Sequence, residues 1–352
     1  MDDPLLGQRY EYDGEPVRDL NDNQAESLQR TKEKIETGEY DTTSYECSIC
    51  GGNSFRTLSE KDRWGLPVNV VICSDCGLIQ NNPRFTPAAS SKFYDEEYRV
   101  LYDLKDADHS FNKQLNEAPE IYEYVMSNIN LSRSDANILE IGCGYGGLVS
   151  YFDQKGHTII GCDLDSEAIQ YGKERGLPVK NSDIRDLNLN WQPNVIILDD
   201  VLEHLSRPTE LLNYVRDEYD EAHIFIDLPG VKNLHYRRRY YQGDFLRYIH
   251  IAHTHHFSLR TLENLMGISG FEKISGDERI RSLFKTYNRQ NNSKYDIESD
   301  YESTITHIRE LERYRRLRIN KVATLHRNPM TIQLLKKTGL FSSAKKLYNI
   351  FG

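Results

Sequence analysis

The decapeptide ILEIGCGYGG, residues 138–147, decides how the rest of the chain reads. Ile138 to Ile141 form a short apolar run that carries one acid, Glu140. Gly142, Gly144 and Gly146 follow at alternate positions, and Gly142, Gly144 and Gly147 also spell GxGxxG. An apolar run that breaks into glycines is a strand ending where backbone passes close to a ligand. The helix that follows offers free N–H groups at its start.

Working outward, GLVSYFDQKG is an amphipathic stretch that ends at Gly156. HTIIGCD, NVIILDD and AHIFIDLP read as strands, and SEAIQYGKERG and RPTELLNYVRDEY as helices between them. Strands alternating with helices of this length imply parallel βαβ units. After a long insert, SLRTLENLMGISGF reads as a helix and FEKISGDERIRSLFKTYN as two late strands. The expected fold is α/β, a Rossmann-like, seven-stranded, mostly parallel sheet.

Asp163 lies 23 residues after Glu140, at the end of the next expected strand. An acid there can accept hydrogen bonds from both hydroxyls of a ribose. GxGxxG alone fits a nicotinamide dinucleotide as well. Two acids favour S-adenosylmethionine instead. Glu140 suits the ammonium of that cofactor and would repel a pyrophosphate. Asp183, in NSDIRDL, sits where an acid can meet the adenine amino group.

Upstream, CSICGG and CSDCGL pair Cys47 with Cys50 and Cys73 with Cys76, with 22 residues between the pairs. Two thiolates two residues apart can face one ion, and Gly51 and Gly77 allow the tight turn behind them. Four thiolates close a tetrahedral Zn2+ shell, so the expected site is structural. Disulfides, a redox pair and iron in the same ligands are the alternatives.

The chain has 352 residues, 38% hydrophobic and 28% charged, and a net charge of -10, which argues against a general nucleic-acid binder. The charge is uneven: residues 301–352 carry eleven Lys/Arg against three Asp/Glu, a balance of +8, which leaves -18 on the remainder. No early apolar run reads as a signal peptide and no stretch reads as a membrane span, so a cytoplasmic protein is expected. The expected division is a polar extension at 1–44 with one exposed helix and little core, a small zinc-ribbon-like domain at 45–97, the cofactor domain at 98–290, and a basic, helical extension at 291–352. That last part can pack on the acidic body, join copies into a homo-oligomer, or touch an anionic membrane surface.

ILEIGCGYG, GCDLD, DDVLEHLSRP and HTHHFSLRTLENLMGISGFE resemble successive motifs of class I S-adenosylmethionine-dependent methyltransferases. VICSDCGLIQNNPRFTP and KFYDEEY resemble the branch with an N-terminal four-cysteine zinc domain, the sugar methyltransferases of deoxysugar and polysaccharide biosynthesis. The resemblance covers about residues 45–290. It implies that Glu140, Gly142, Gly144 and Gly146 form the cofactor loop and Asp163 binds ribose. Asp183 and Asp200 would contact adenine or close the cofactor pocket, and Glu203 and His204 match the family's Glu-His pair.

Sugar C-methyltransferases carry Tyr-x-x-Glu-His in the substrate region. This chain reads Ile249-His250-Ile251-Ala252-His253 there and keeps only the histidine. The expected reaction is therefore O-methylation of a sugar hydroxyl, with C-methylation of a nucleotide-linked ketosugar and a non-catalytic binding module as alternatives. Transfer to a hydroxyl needs a base. His253 is the expected base, His256 supports it, and His204 shapes the pocket or shares the proton transfer. The same histidines can also simply pack a sheet edge. The insert between the fifth strand and the last helix carries Arg237, Arg238, Arg239, Tyr240, Tyr241, Arg247 and Tyr248, which suit a phosphorylated or nucleotide-linked sugar.

Overall fold

A computed structural model describes residues 4–104, 106–129, 136–219, 221–234, 241–287 and 295–327. The central sheet consists of β4 (Asn137–Ile141), β5 (Thr158–Asp163), β6 (Val179–Asn181), β7 (Val195–Asp199), β8 (His223–Asp227), β10 (Phe271–Gly276) and β11 (Arg281–Thr286). Its strand order is β10-β11-β8-β7-β4-β5-β6. β6, β5, β4, β7 and β8 run parallel, and β11 and β10 are antiparallel. The count of seven and the mostly parallel order are as expected; six strands are the runs named above, and β6 is one the sequence reading had not placed.

The middle strands are near-continuous apolar runs because both faces are covered. Leu139, Ile196, Leu198, Ile224 and Ile226 face one core, closed by α6 (Pro208–Glu218) and α7 (Leu259–Ile268). Ile138, Val195, Ile197 and Phe225 face the other, closed by α3 (Ala107–Asn128) and α4 (Gly147–Gln154). α5 (Ser166–Glu174) links β5 to β6.

A four-stranded sheet lies beside this body. β1 (Phe55–Ser59), β2 (Val70–Cys73) and β3 (Ile79–Asn81) come from the cysteine segment. Its fourth strand, β9 (His255–His256), comes from the far side of the chain and pairs antiparallel with β3, His255 opposite Gln80 and His256 opposite Ile79. Strand pairing thus crosses the expected boundary between 45–97 and 98–290. Cys47, Ile49, Cys73, Cys76 and Leu78 are also continuous with the apolar core of the large sheet.

The N-terminal segment differs from the expectation of a polar arm with little core. α1 (Asp22–Glu36) forms where expected, capped by Asn21 and Gln24 in a reciprocal box. Leu6, Tyr10, Leu28 and Tyr40, however, are buried with Leu58, Trp64, Phe93 and Phe245 in a second apolar cluster. Low average hydropathy hid them, because a few large residues on the docking side suffice once a surface exists to receive them.

The C-terminal helix α8 (Tyr301–Arg327) spans the expected helical region. Its start lies over the second cysteine turn: the Asp300 amide donates to the Cys76 carbonyl at 3.1 Å, and a Cβ on Gly77 would lie 2.5 Å from the Tyr301 nitrogen. Gly77 therefore serves two needs, a left-handed turn and this backbone approach. The basic residues beyond 327 and Arg237, Arg238, Arg239 and Tyr240 of the insert lie outside the described residues. Among the described residues no helix is long and apolar enough to cross a membrane.

Candidate active site

The glycine loop is built by backbone geometry that side chains resist. Gly142, Gly144 and Gly146 all have positive φ, and Gly146 caps α4 in the left-handed conformation. A Cβ on Gly142 would meet Val201 at 2.6 Å. Gln114 of α3 braces the turn: its Nε2 donates to the Cys143 carbonyl at 3.2 Å, and the Gly147 amide donates to its Oε1 at 3.2 Å.

Acids gather at the carboxyl ends of the parallel strands, where open α/β sheets bind ligands. Glu140 is 2% exposed, and its Oε2 has no hydrogen-bond partner among the described residues. Burial, then the charges of Asp199 and Asp163, holds its carboxyl well above the usual range. A buried carboxylate oxygen without a donor is costly, and a cationic donor relieves it. Asp163 accepts from the Gly144 amide at 2.8 Å and from the Asp165 amide at 2.8 Å. Each oxygen keeps a second lone pair for a hydroxyl. Asp183 caps the turn Ile184–Asp186, accepting from the Arg185 amide at 2.9 Å. Asp200 is exposed and has a φ of 52°. Asp199, which the sequence reading passed over, ends β7 beside it, and burial with the charges of Asp200 and Asp227 raises its carboxyl strongly.

These residues fit S-adenosylmethionine. Glu140 would meet the ammonium, Asp163 the ribose, Asp183 the adenine edge, and the glycines would let the ligand lie against backbone. Arg99 closes the rim, donating to the Tyr145 hydroxyl of the loop at 2.7 Å and pairing with Asp165.

Just past β7, the turn Leu202–His204 places a second group. Glu203 is 1% exposed, and neither carboxylate oxygen has a hydrogen bond among the described residues. The Nε2 atoms of His204 and His253 each lie 4.0 Å from its Oε1, and the two rings stand at 87° with centroids 4.7 Å apart. His204 Nδ1 lies 3.1 Å from the Ala252 carbonyl and 2.7 Å from the Tyr94 hydroxyl. Burial lowers the His204 pKa, which keeps the ring neutral at physiological pH. His250 packs on His253 with centroids 3.7 Å apart, and its Nδ1 is 2.7 Å from the Tyr102 hydroxyl.

The expected histidines therefore separate. His204 and His253 converge on Glu203. His255 and His256 form the edge strand β9, the packing alternative raised above. His256 sits 5.0 Å from the Tyr248 ring, and burial lowers its pKa to about 3. Tyr248 itself is a core residue whose hydroxyl donates to the Pro229 carbonyl at 2.7 Å, so it is not a sugar-facing ring.

The segment that carries His250 and His253 hangs on the cysteine lobe. The Asn81 side-chain amide donates to the His253 carbonyl at 3.0 Å and to the His250 and Ile251 carbonyls at 3.4 Å. The Asn81 backbone amide donates to the Thr254 carbonyl at 3.0 Å. The buried Asp62 carboxylate accepts from the Ile251 amide at 2.9 Å and from Trp64 and Leu66. Ser48, between Cys47 and Cys50, lies 2.8 Å from His255 Nε2.

Cys47, Cys50, Cys73 and Cys76 come together with all four sulfurs within 4.8 Å of one another. The Cys47–Cys76 and Cys50–Cys73 sulfurs are 3.4 and 3.5 Å apart, and all four thiols are free. Tetrahedral ligation with bonds of about 2.3 Å spaces sulfurs by roughly 3.8 Å, so the cluster can hold one ion with little movement.

Residues 112–275 match the family described as a methyltransferase domain. The matched region is the one that folds into the Rossmann-like sheet described above. Over 113 residues the chain is 30% identical to the 2-heptyl-1-hydroxyquinolin-4(1H)-one methyltransferase of Mycobacteroides abscessus, covering 30% of this chain and 48% of that protein. Over 74 residues it is 32% identical to a protein of Mycobacterium tuberculosis described as "Probable fatty acid methyltransferase", covering 19% and 17% respectively. The chain thus spans about half the length of the first relative and less of the second. The solved plantazolicin methyltransferase BpumL in complex with SAH is similar at 17% identity over 50% of this chain and 71% of that one, with a TM-score of 0.39.

Several site residues had escaped the sequence reading. Just past α2 (Pro87–Phe93), Tyr94, Tyr98 and Tyr102 pack on one another with centroids 4.6 and 4.4 Å apart and planes tilted by 42° and 33°, and the row ends on His204 and His250. Their spacing of four along the chain was a legible signal of one helical face. Asn81 and Asp62 carried none, because their partners lie about 170 and 190 residues away in sequence.

Proposed function

We propose that this protein is an S-adenosylmethionine-dependent methyltransferase that acts in the cytoplasm on a sugar hydroxyl in glycan or polysaccharide biosynthesis. The observation that carries the cofactor assignment is the orphaned, buried Glu140 oxygen beside the glycine loop. A pyrophosphate would be repelled there, whereas an ammonium is stabilised. The family match over 112–275 supports the same reading. The sugar hydroxyl rests on the resemblance of VICSDCGLIQNNPRFTP and KFYDEEY to the sugar-methyltransferase branch.

When bound, the cofactor supplies an activated methyl group and a good leaving group. The chain aligns the acceptor, excludes water and removes its proton. His253 and neutral His204, on the strand-end side that also holds Glu140, offer lone pairs for that proton, and the Tyr94–Tyr98–Tyr102 ladder offers faces on which a sugar can stack. The four cysteines hold Zn2+, and their lobe fixes the segment that presents His253.

Calorimetric titration with S-adenosylhomocysteine, with NAD as control and metal analysis of the same sample, tests this reading. Micromolar binding of the former alone, with zinc present at one per chain, is the expected result. Absence of S-adenosylhomocysteine binding by folded, metal-loaded protein overturns it.

A further inference from the structure

We infer that Glu203, His204 and His253 form a second metal site, distinct from the four cysteines, which binds a divalent first-row transition ion. Their donor atoms lie within 4.8 Å of one another. With bonds of about 2.1 Å, donors around one ion stand roughly 3.0–3.4 Å apart, so shifts under about 1 Å complete the shell.

Three observations point to an ion rather than to a hydrogen-bonded triad. First, the two Nε2 atoms stand 4.0 Å from the carboxylate, beyond hydrogen-bond range. Second, Glu203 is 1% exposed, and neither oxygen has a hydrogen bond among the described residues. A carboxylate buried without a donor is stabilised by a cation placed between it and the two imidazoles. Third, His204 is oriented as metal-ligating histidines are. Nδ1 faces the Ala252 carbonyl, which can only accept, and the Tyr94 hydroxyl, which can accept as well, so a proton on Nδ1 serves both contacts and leaves Nε2 as the lone pair on the Glu203 side. Two imidazoles and one carboxylate suit manganese, iron, cobalt or zinc better than calcium or magnesium, which favour all-oxygen shells.

Three protein donors leave coordination positions for water or an acceptor oxygen. The inference rests on the methyl-transfer reading only for what the ion acts on. An acceptor hydroxyl coordinated there is acidified, and its proton passes to solvent. The freed oxygen pair forms the O–C bond as the methyl–sulfur bond breaks, and that bond's electrons neutralise the sulfonium to a thioether. His253 then serves as a ligand rather than as the base itself.

The test is Mn2+ titration of the intact protein, read by electron paramagnetic resonance, with the cysteine site already filled. Manganese is a poor ion for thiolates, so it reports the nitrogen–oxygen site. One Mn2+ per chain is expected, with affinity lowered at least tenfold in Glu203→Gln and in His204→Gln. Both variants should keep the cooperative urea-unfolding transition of wild type, which shows that they remain folded. Co2+ absorption gives a second readout: bands of a nitrogen–oxygen site, lost in Glu203→Gln. A protein that binds S-adenosylhomocysteine but takes up neither Mn2+ nor Co2+ outside the cysteines overturns the metal site alone. So does metal binding indifferent to both substitutions. Mn2+ binding without S-adenosylhomocysteine binding leaves the metal site standing and removes the methyl-transfer reading.

Discussion

Asn81→Ala removes a side-chain amide that three carbonyls of the histidine segment share. The contact with the His253 carbonyl, at 3.0 Å, is a full hydrogen bond, and those with His250 and Ile251, at 3.4 Å, are weaker. Asn81 is 1% exposed, so water cannot readily replace the amide. Orphaning one good buried acceptor costs about 1–3 kcal/mol, and the small cavity adds to it, for about 2–4 kcal/mol in total. Because the backbone pairing of β9 with β3 survives, the loss should fall first on local opening of 249–256. At about 1.4 kcal/mol per tenfold, amide exchange there should quicken by about 30- to 700-fold relative to wild type. The assay is hydrogen–deuterium exchange by mass spectrometry, with urea unfolding for the global value and S-adenosylhomocysteine calorimetry as a control. Residues 137–147 should exchange as in wild type, and cofactor-product affinity should hold within about twofold. Unaltered exchange over 249–256, or equal acceleration in 249–256 and 137–147, would refute the claim that the cysteine lobe positions the histidine segment through this amide.

Glu140→Gln tests the orphaned carboxylate. Its folded pKa is raised, so its ionisation weakens the folded state increasingly as pH rises above the unfolded value near 4.5. The ligand-free variant should therefore melt a few degrees above wild type at pH 7.5, with the gap closing toward pH 4.5, while S-adenosylmethionine affinity falls at least tenfold. A gap that does not change with pH, or unchanged affinity, speaks against this role. With the proposed Zn2+ bound at the four cysteines, its chelation should release 47–81 and 249–256 together in hydrogen exchange, because His255–His256 complete the same sheet. Protection of 249–256 that survives chelation would show that the segment is held by the body of the large sheet alone.

The large sheet was legible in the sequence because its signals are local. ILEI, VIIL and IFI are apolar runs that helices cover on both faces, and the alternation with amphipathic stretches fixes parallel order. Glu140, the three glycines and Asp163 could be read for the same reason, since strand, turn and acid follow within 26 residues of one another. The cysteine cluster was equally plain, because two residues between thiols is a geometric requirement of one ion.

What tertiary structure alone decided lies between distant segments. The sequence named His253, His256 and His204 as a set, yet only folding separates an edge-strand histidine from two that converge on a buried acid. Glu203 looked like a partner of its neighbour, and its lack of a hydrogen bond could be known only once 203 and 253 met. The same holds for Tyr10 and Leu28, apolar residues in a polar stretch whose burial depends on a surface supplied by Trp64 and Phe245. Local pattern sets the secondary structure and the ligand-facing turns. The environment of a side chain, and so its charge state and its partners, is set by which remote segments pack beside it.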